Sequence, residues 1–375
     1  MRRELTPLAA ILREIIRARG PITLAEYMEA CLYHPELGYY TQSPQQPRRD
    51  YFTNVDASPI YGRLLVRQFY QMWTELEQPN PFLLVEAGAG TGALAKQVLD
   101  FAALSWPDFY TAAKYVAVER SAERRAAQAG SLAPHVARGR FASASTMPKE
   151  IRSGCIFSNE LIDALPVHRV VRESGAVREL HVTISEHGFI ERVGPVSSPD
   201  LTNYFAEQGI TLVEGQQAEV CLEARRWIEK AARSLSRGFV LTIDYGHAAQ
   251  QLYDEHHMRG TLLAYSRHRA NEDYFRAPGE QDLSVHVNFT ALEIYGERGG
   301  LIRTGLTSQT NFMLALARQS NFEDIESPGM DEAQRTRARL LFKTLIYPEG
   351  MGETFQVLVQ HKGIESPRVV GLEPL

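Results

Sequence analysis

The sequence predicts an α/β fold, a doubly wound sheet with helices on both faces. Three observations carry this. Apolar runs that read as buried parallel strands, FLLVEAG, KYVAVER, CIFSNEL and GFVLTIDYG, alternate with stretches of helical period. The first run ends in a turn holding Gly88, Gly90 and Gly92 and passes straight into a helical pattern. At 375 residues the chain exceeds one ordinary core, which predicts two lobes or one elaborated domain.

Residues 5–19 align Leu5, Leu8, Ile11, Leu12, Ile15 and Ile16 on one helical stripe, stopped by Gly20-Pro21. Thr23, with Glu26 three residues on, predicts a capping box opening a second helix. The Pro-, Gln- and Asp-rich stretch YTQSPQQPRRDYFTNVDASP reads as a long irregular loop, and a third helix follows from about Pro59 to Glu77. The strand–helix alternation begins at Pro81, so the chain divides into 1–80 and 81–375. Within the second part, about 169–200 reads as a β-rich insertion or the edge of an antiparallel lobe. Residues 216–236 read as helix, and about 248–290, which has no repeating period, as a long ordered loop. Helices over Asn311–Arg318 and Asp331–Phe342 and a last strand, ETFQVLVQH, complete the pattern.

Composition excludes several classes. A hydrophobic share of 44% with 23% charged residues suits a soluble globular chain, and a net charge of -5 lacks the basic excess of a nucleic-acid binder. Cys31, Cys155 and Cys221 are far apart, without CxxC spacing, which argues against a disulfide framework or structural zinc. His247, His256 and His257 do not show metal-ligand spacing either, so no metal is expected. No apolar run approaches the roughly 20 residues of a membrane span. The N-terminal helix contains Glu4 and Glu14 and lacks a continuous apolar region, unlike a signal or transit peptide. These features predict a cytoplasmic, reducing location.

The glycine turn satisfies two fingerprints. Gly88-x-Gly90-x-x-Ala93 fits a dinucleotide site; Glu86-x-Gly88-x-Gly90-x-Gly92 fits an S-adenosylmethionine site. Electrostatics separates them. A pyrophosphate is repelled by a carboxylate at the strand's end, whereas a sulfonium and an α-ammonium are attracted to Glu86. Glu119, closing the next strand, can take two ribose hydroxyls. The bland alternative is a tight strand-to-helix turn with no ligand.

CIFSNELIDALPVHRV is the second informative stretch. Its strand ends in Asn159-Glu160, Asp163 follows, and topology places this end beside the glycine turn. Glu160 and Asp163 offer two carboxylates to a cationic acceptor such as a guanidinium, which pairs bidentately with them. The competing reading is that Asn159 and Glu160 merely cap a following helix. His286 beside Asn288 reads either as a proton acceptor or as a histidine satisfying a loop; Tyr39-Tyr40 and Tyr51-Phe52 read as channel walls or as plain packing.

Together these stretches resemble the family of S-adenosylmethionine-dependent methyltransferases that includes MidA and the mitochondrial complex I assembly factor 7. The resemblance runs through nearly the whole chain, from GPITLAEYMEACLYHPELGYY, the glycine turn and SNELIDALPVHRV to LTIDYGH, GTLLAYSRH, LSVHVNFTAL, TSQTNFMLAL and MGETFQVL. It implies a seven-stranded, Rossmann-like class I methyltransferase core, with residues 1–80 as a helical cover and active-site loop. It further implies S-adenosyl-L-methionine as donor and methylation of an arginine in a partner protein, for mitochondrial members a complex I subunit, with a homodimer as the assembly. A donor-binding assembly factor without activity, and a methyltransferase of small molecules or RNA, are the alternatives. The family's turn residues match Glu86, Gly88, Gly90 and Gly92, and its acidic turn matches Asn159, Glu160 and Asp163. Asp244, Tyr245 and Gly246 match its block after a later strand. Two departures stand out. Asn54-Val55-Asp56 occupies the place of an expected Ser-Pro-Glu, and Asn288 replaces an aspartate, removing one negative charge.

Overall fold

The computed structural model describes residues 6–41, 55, 59–266, 269–326, 330–347 and 355–375. The chain forms two compact units: Met1–Tyr51, Ile162–Trp227 and Gly246–Ile294 make one, and Phe52–Leu161, Ile228–Tyr245 and Tyr295–Leu375 the other.

In the first unit, the helix Pro7–Arg19 starts where the Thr6 side chain accepts from the Ala9 N–H and stops at Gly20, whose φ of +85° suits glycine. Leu8, Leu12 and Ile16 of the expected stripe are buried, while Ile11 is exposed. The capping box forms as the spacing predicts. Thr23 Oγ1 accepts from Glu26 N at 3.1 Å and Glu26 Oε2 from Thr23 N at 2.8 Å, opening the helix Leu24–Tyr33. Both helices bury their apolar stripes against Val182 and Phe189, so the N-terminal helices and the β-rich segment share one core. That segment is an antiparallel sheet in the order Ile22–Thr23, Ala176–Ser185, His168–Glu173, Gln217–Val220, with Gly188–Gly194 hairpinned on Ala176–Ser185.

Two expectations fail here for the same reason. Residues 217–220 are a strand paired with His168–Val171, and helix begins only at Leu222. The expected loop over 248–290 contains a three-stranded antiparallel sheet of Arg269–Asn271, Leu263–Ser266 and Asp282–Ser284. Strands of three or four residues are too short to show a period; their pairing partners decide them.

In the second unit, seven strands lie along one path: β1 (Phe82–Ala87), β2 (Ala113–Val118), β3 (Phe141–Ala144), β4 (Ile151–Asn159), β5 (Leu235–His247), β6 (Ile302–Ser308) and β7 (Phe355–Lys362). Their order is β6-β7-β5-β4-β1-β2-β3. The neighbours from β5 through β3 are parallel, and β7 pairs antiparallel with both β5 and β6. Gly246 and His247, the last residues of β5, fall in the first unit and pair there with Val287 and Asn288, a short strand. The result is a mixed α/β sheet, with the helices Ile60–Glu75, Ala93–Ser105 and Gln309–Arg318 packing Leu64, Phe69, Val98 and Phe312 into its core. The chain runs outward from β1 through β2 to β3 and resumes at β4 on the other side of β1. The carboxyl ends of β1 and β4 therefore flank the switch point at which open α/β sheets bind ligands.

Candidate functional site

Gly88, Gly90 and Gly92 follow β1 with φ of +75°, +54° and +79°. A Cβ on Gly88 would lie 2.8 Å from Leu161 Cδ1, and one on Gly92 would lie 2.9 Å from Gln128 Cγ. A Cβ on Gly90 meets nothing nearer than the Gly88 carbonyl oxygen at 4.0 Å. Gly88 and Gly92 are thus required by the chain's own packing and left-handed backbone, and Gly90 is the one with an open flank. The Gly88 and Ala89 N–H groups donate to the Val118 carbonyl at 2.9 and 3.1 Å, pinning the turn to the end of β2. Gln128, fully buried, donates from Nε2 to the Gly90 carbonyl at 2.8 Å and accepts from Ser143 Oγ at 2.7 Å.

Glu119 stands at the same edge. Its Oε2 accepts from Gly90 N at 3.0 Å and its Oε1 from Ser121 N at 2.8 Å. A carboxylate has about four acceptor positions, so each oxygen keeps one for a hydroxyl donor. An open glycine cradle beside an acid with spare acceptors fits a ribose-bearing ligand.

Glu86 behaves differently from the ionised acid the sequence suggests. It is buried, and its Oε2 accepts from Tyr115 Oη at 2.7 Å. Burial pushes its carboxyl up to about 8, the Tyr115 hydrogen bond pulls the other way, and the charge of Glu119 adds to the rise. Near neutral pH Glu86 therefore holds a proton, and a positive charge alongside would favour its ionised form.

The acidic turn lies one strand over. Ala87 and Ser158 are paired in register, so the ends of β1 and β4 are adjacent. Glu160 has a left-handed φ of +51°, a strain of about 1–3 kcal/mol that persists only where the surroundings impose it. Those surroundings belong to the end of β5. Glu160 N donates to the Ile243 carbonyl at 3.0 Å. Fully buried Asp244 takes Leu161 N on Oδ2 at 3.2 Å and Tyr245 N on Oδ1 at 3.0 Å. No helix follows Glu160 before the next strand at His168, so the capping alternative has nothing to cap. Asn159 Nδ2 donates to Glu160 Oε1 at 3.1 Å, and Tyr61 Oη donates to Asn159 Oδ1. Burial, then the charges of Glu160, Asp244 and Glu86, hold the Tyr61 phenol well above its usual range.

Asn159, Glu160, Glu86, Glu119 and the glycine turn thus belong to one unit. Asp163 belongs to the other, where it is buried, its Oδ2 accepts from Ser284 Oγ at 2.9 Å and its carbonyl from Val285 N at 3.0 Å. His286 is pushed down to about 4 by burial and by the nearby His247 and His257, so it stays neutral in ordinary buffers and is a weak proton acceptor. Asn288 is buried within a polar knot, donating to Gln208 Oε1 at 2.8 Å and Tyr204 Oη at 3.0 Å and accepting from Ala291 N at 3.0 Å. Its amide knits its own unit together. Tyr39 is buried and Tyr40 donates to Asp282 Oδ1 at 2.7 Å, which is packing within that unit. Asn54, Asp56, Tyr51 and Phe52 lie outside the described residues; the Val55 carbonyl accepts from Gln97 Nε2 at 3.0 Å. Sequence reasoning missed Tyr61, Tyr115 and Gln128. Tyr115 was accessible in principle, since β2 pairs Ala117 with Glu86 and places Tyr115 diagonally opposite on the same face.

Residues 64–307 match the model of the S-adenosyl-L-methionine-dependent methyltransferase family. The mitochondrial protein arginine methyltransferase NDUFAF7 homologue of Drosophila melanogaster is 27% identical over 384 residues, covering 95% of this chain and 85% of its own. Human NDUFAF7, also a mitochondrial protein arginine methyltransferase, is 26% identical over 391 residues, covering 97% and 86%. A Burkholderia thailandensis protein crystallised with S-adenosyl-homocysteine superposes with a TM-score of 0.87 at 29% identity, covering 98% of this chain and 94% of its own. The expectation of a cytoplasmic location is corrected by the two NDUFAF7 relatives, which are mitochondrial by name. An N-terminal composition and the lack of an apolar span are weak guides to compartment, because addresses are read by receptors rather than fixed by the fold.

Proposed function

Since the chain belongs to the S-adenosyl-L-methionine-dependent methyltransferase family, we propose that it methylates an arginine side chain of a partner protein. The donor supplies an electrophilic methyl group on a sulfonium. The open side of Gly90 admits the donor's methionine end, Glu119 takes the ribose hydroxyls on its two spare acceptor positions, and Glu86 ionises to balance the positive charge nearby. An arginine nitrogen supplies the electron pair that forms the new N–C bond; the C–S bond breaks, its electron pair stays on sulfur as a neutral thioether, and the proton shed by the nitrogen passes to water.

Glu160, steadied by Asn159, orients the guanidinium and draws its charge away from the attacking nitrogen. Asp163 fixes the chain beyond this turn through Ser284 and Val285. The reading rests chiefly on the left-handed backbone of Glu160 one strand from the glycine turn, because strain of that kind clusters at sites that use it. The arginine-directed names of the relatives support the acceptor class. By the same resemblance the partner is a subunit of a complex I-type assembly.

The test uses tritiated S-adenosyl-L-methionine and the protein fraction of a lysate from cells lacking this chain, with methylarginine quantified after hydrolysis. Glu160→Gln is expected to bind S-adenosyl-homocysteine normally and to lose transfer. Retained transfer removes the role assigned to Glu160, and label confined to RNA or small molecules removes the acceptor class.

A further inference from the structure

Glu160 is held through its backbone by the end of β5, but its carboxylate is aimed by a chain of side chains that begins on a different element. The helix Ile60–Glu75 buries Tyr61 completely and delivers its hydroxyl to Asn159 Oδ1. The direction of that chain follows from donor and acceptor counts. Asn159 turns its NH2 group to Glu160, donating to the carboxyl oxygen Oε1 at 3.1 Å. Its carbonyl oxygen then points the other way and needs a donor. Tyr61 supplies one: with its phenol held protonated by burial and by three neighbouring acids, it donates and does not compete as an anion. Removing the hydroxyl would leave the amide oxygen with one partner fewer and let the amide plane, and the carboxylate it carries, rotate.

We propose that Tyr61 is a positioning residue for methyl transfer, fixing the Asn159 amide so that it holds the Glu160 carboxylate toward the acceptor. This rests on the role given to Glu160 above. In this role Tyr61 touches neither donor nor acceptor; it acts through Asn159.

The experiment is a cycle of four proteins, wild type, Tyr61→Phe, Asn159→Ala and the double variant, with Glu160→Gln as reference. Each is assayed for initial transfer of tritium from S-adenosyl-L-methionine into the lysate protein fraction, over a range of donor concentrations. Affinity for S-adenosyl-homocysteine is measured by calorimetry alongside. Tyr61→Phe keeps the ring and its packing, so the fold is expected to survive. The rate at saturating donor should fall about tenfold, the scale of one neutral hydrogen bond. The donor KM and the affinity for S-adenosyl-homocysteine should be unchanged. In the Asn159→Ala background the same substitution should cost nothing more, because the relay is already cut. An unchanged rate in Tyr61→Phe, a full additional loss in the double variant, or a parallel loss of S-adenosyl-homocysteine affinity each overturns the proposal. Loss of transfer in Glu160→Gln with a silent Tyr61→Phe overturns this inference alone. Wild-type transfer in Glu160→Gln overturns it together with the reading of Glu160.

Discussion

Replacing Glu86 by glutamine should stabilise the protein, and more so as the pH rises. The Glu86 carboxyl is raised from 4.5 to about 8 by burial, so at pH 7 it is ionised in the unfolded chain and protonated in the folded one. Folding therefore takes up a proton. For a carboxyl raised in this direction, the native state is best placed below the ordinary value and loses stability as the pH climbs from 4.5 to about 8, after which the penalty is constant. At about 1.36 kcal/mol per pH unit, the interval from 4.5 to 7 costs roughly 3 kcal/mol. The substituted amide would keep an oxygen for the Tyr115 hydroxyl and has no proton to exchange, so it escapes that penalty. With an unfolding entropy of about 2.1 cal/mol/K per residue, 3 kcal/mol corresponds to about 4 °C in Tm for a chain of this length. The assay is calorimetric melting of Glu86→Gln and wild type at pH 5 and pH 8. Titrations shared by both proteins cancel in the difference, which should widen in favour of the variant as the pH rises. An equal difference at the two pH values refutes the reasoning. The same proton reports on binding: at pH 7, titration of wild type with S-adenosyl-L-methionine in buffers of different ionisation enthalpy should release nearly one proton, and the variant almost none.

Gly90→Ala should weaken S-adenosyl-homocysteine binding by calorimetry while costing only about 1 kcal/mol of stability, from its left-handed φ in open space. Gly88→Ala meets Leu161 as well, so its urea midpoint should fall further than that of Gly90→Ala; equal midpoints would contradict the packing assigned to Leu161. Asp244→Asn turns an acceptor oxygen into a donor facing Leu161 N or Tyr245 N, and should lower stability by about 1–3 kcal/mol in urea unfolding. His286, depressed to about 4, contributes stability above its ordinary value of 6.5 that is lost as the pH falls toward about 4. His286→Gln should therefore flatten the fall in Tm between pH 6.5 and 4, and an unchanged slope would show that His286 is not the group responsible.

Much of the candidate site is legible in the sequence because it is local. Three alternating glycines after an apolar strand mark a turn free to use positive φ, as all three do, and Glu119 closes the neighbouring strand of the same alternation. The capping box at Thr23 and Glu26 is legible for the same reason, since its two hydrogen bonds span three residues. The short strands at Gln217–Val220 and within 248–290 are not, because a few residues show no period and take their conformation from a partner strand far along the chain.

The order of residues is enough to dictate the α/β alternation, the left-handed glycine turn and the identity of the acids around it, all set by steric and hydrogen-bonding rules acting within a few residues. What those acids do is settled by folding. Desolvation and charge at Glu86 are sums over everything that surrounds it, and they keep protonated a group the motif suggests is ionised. The aim of Glu160 is set by Asp244 and by Tyr61, which lies 98 positions before Asn159, and such contacts come into being only when the chain has folded.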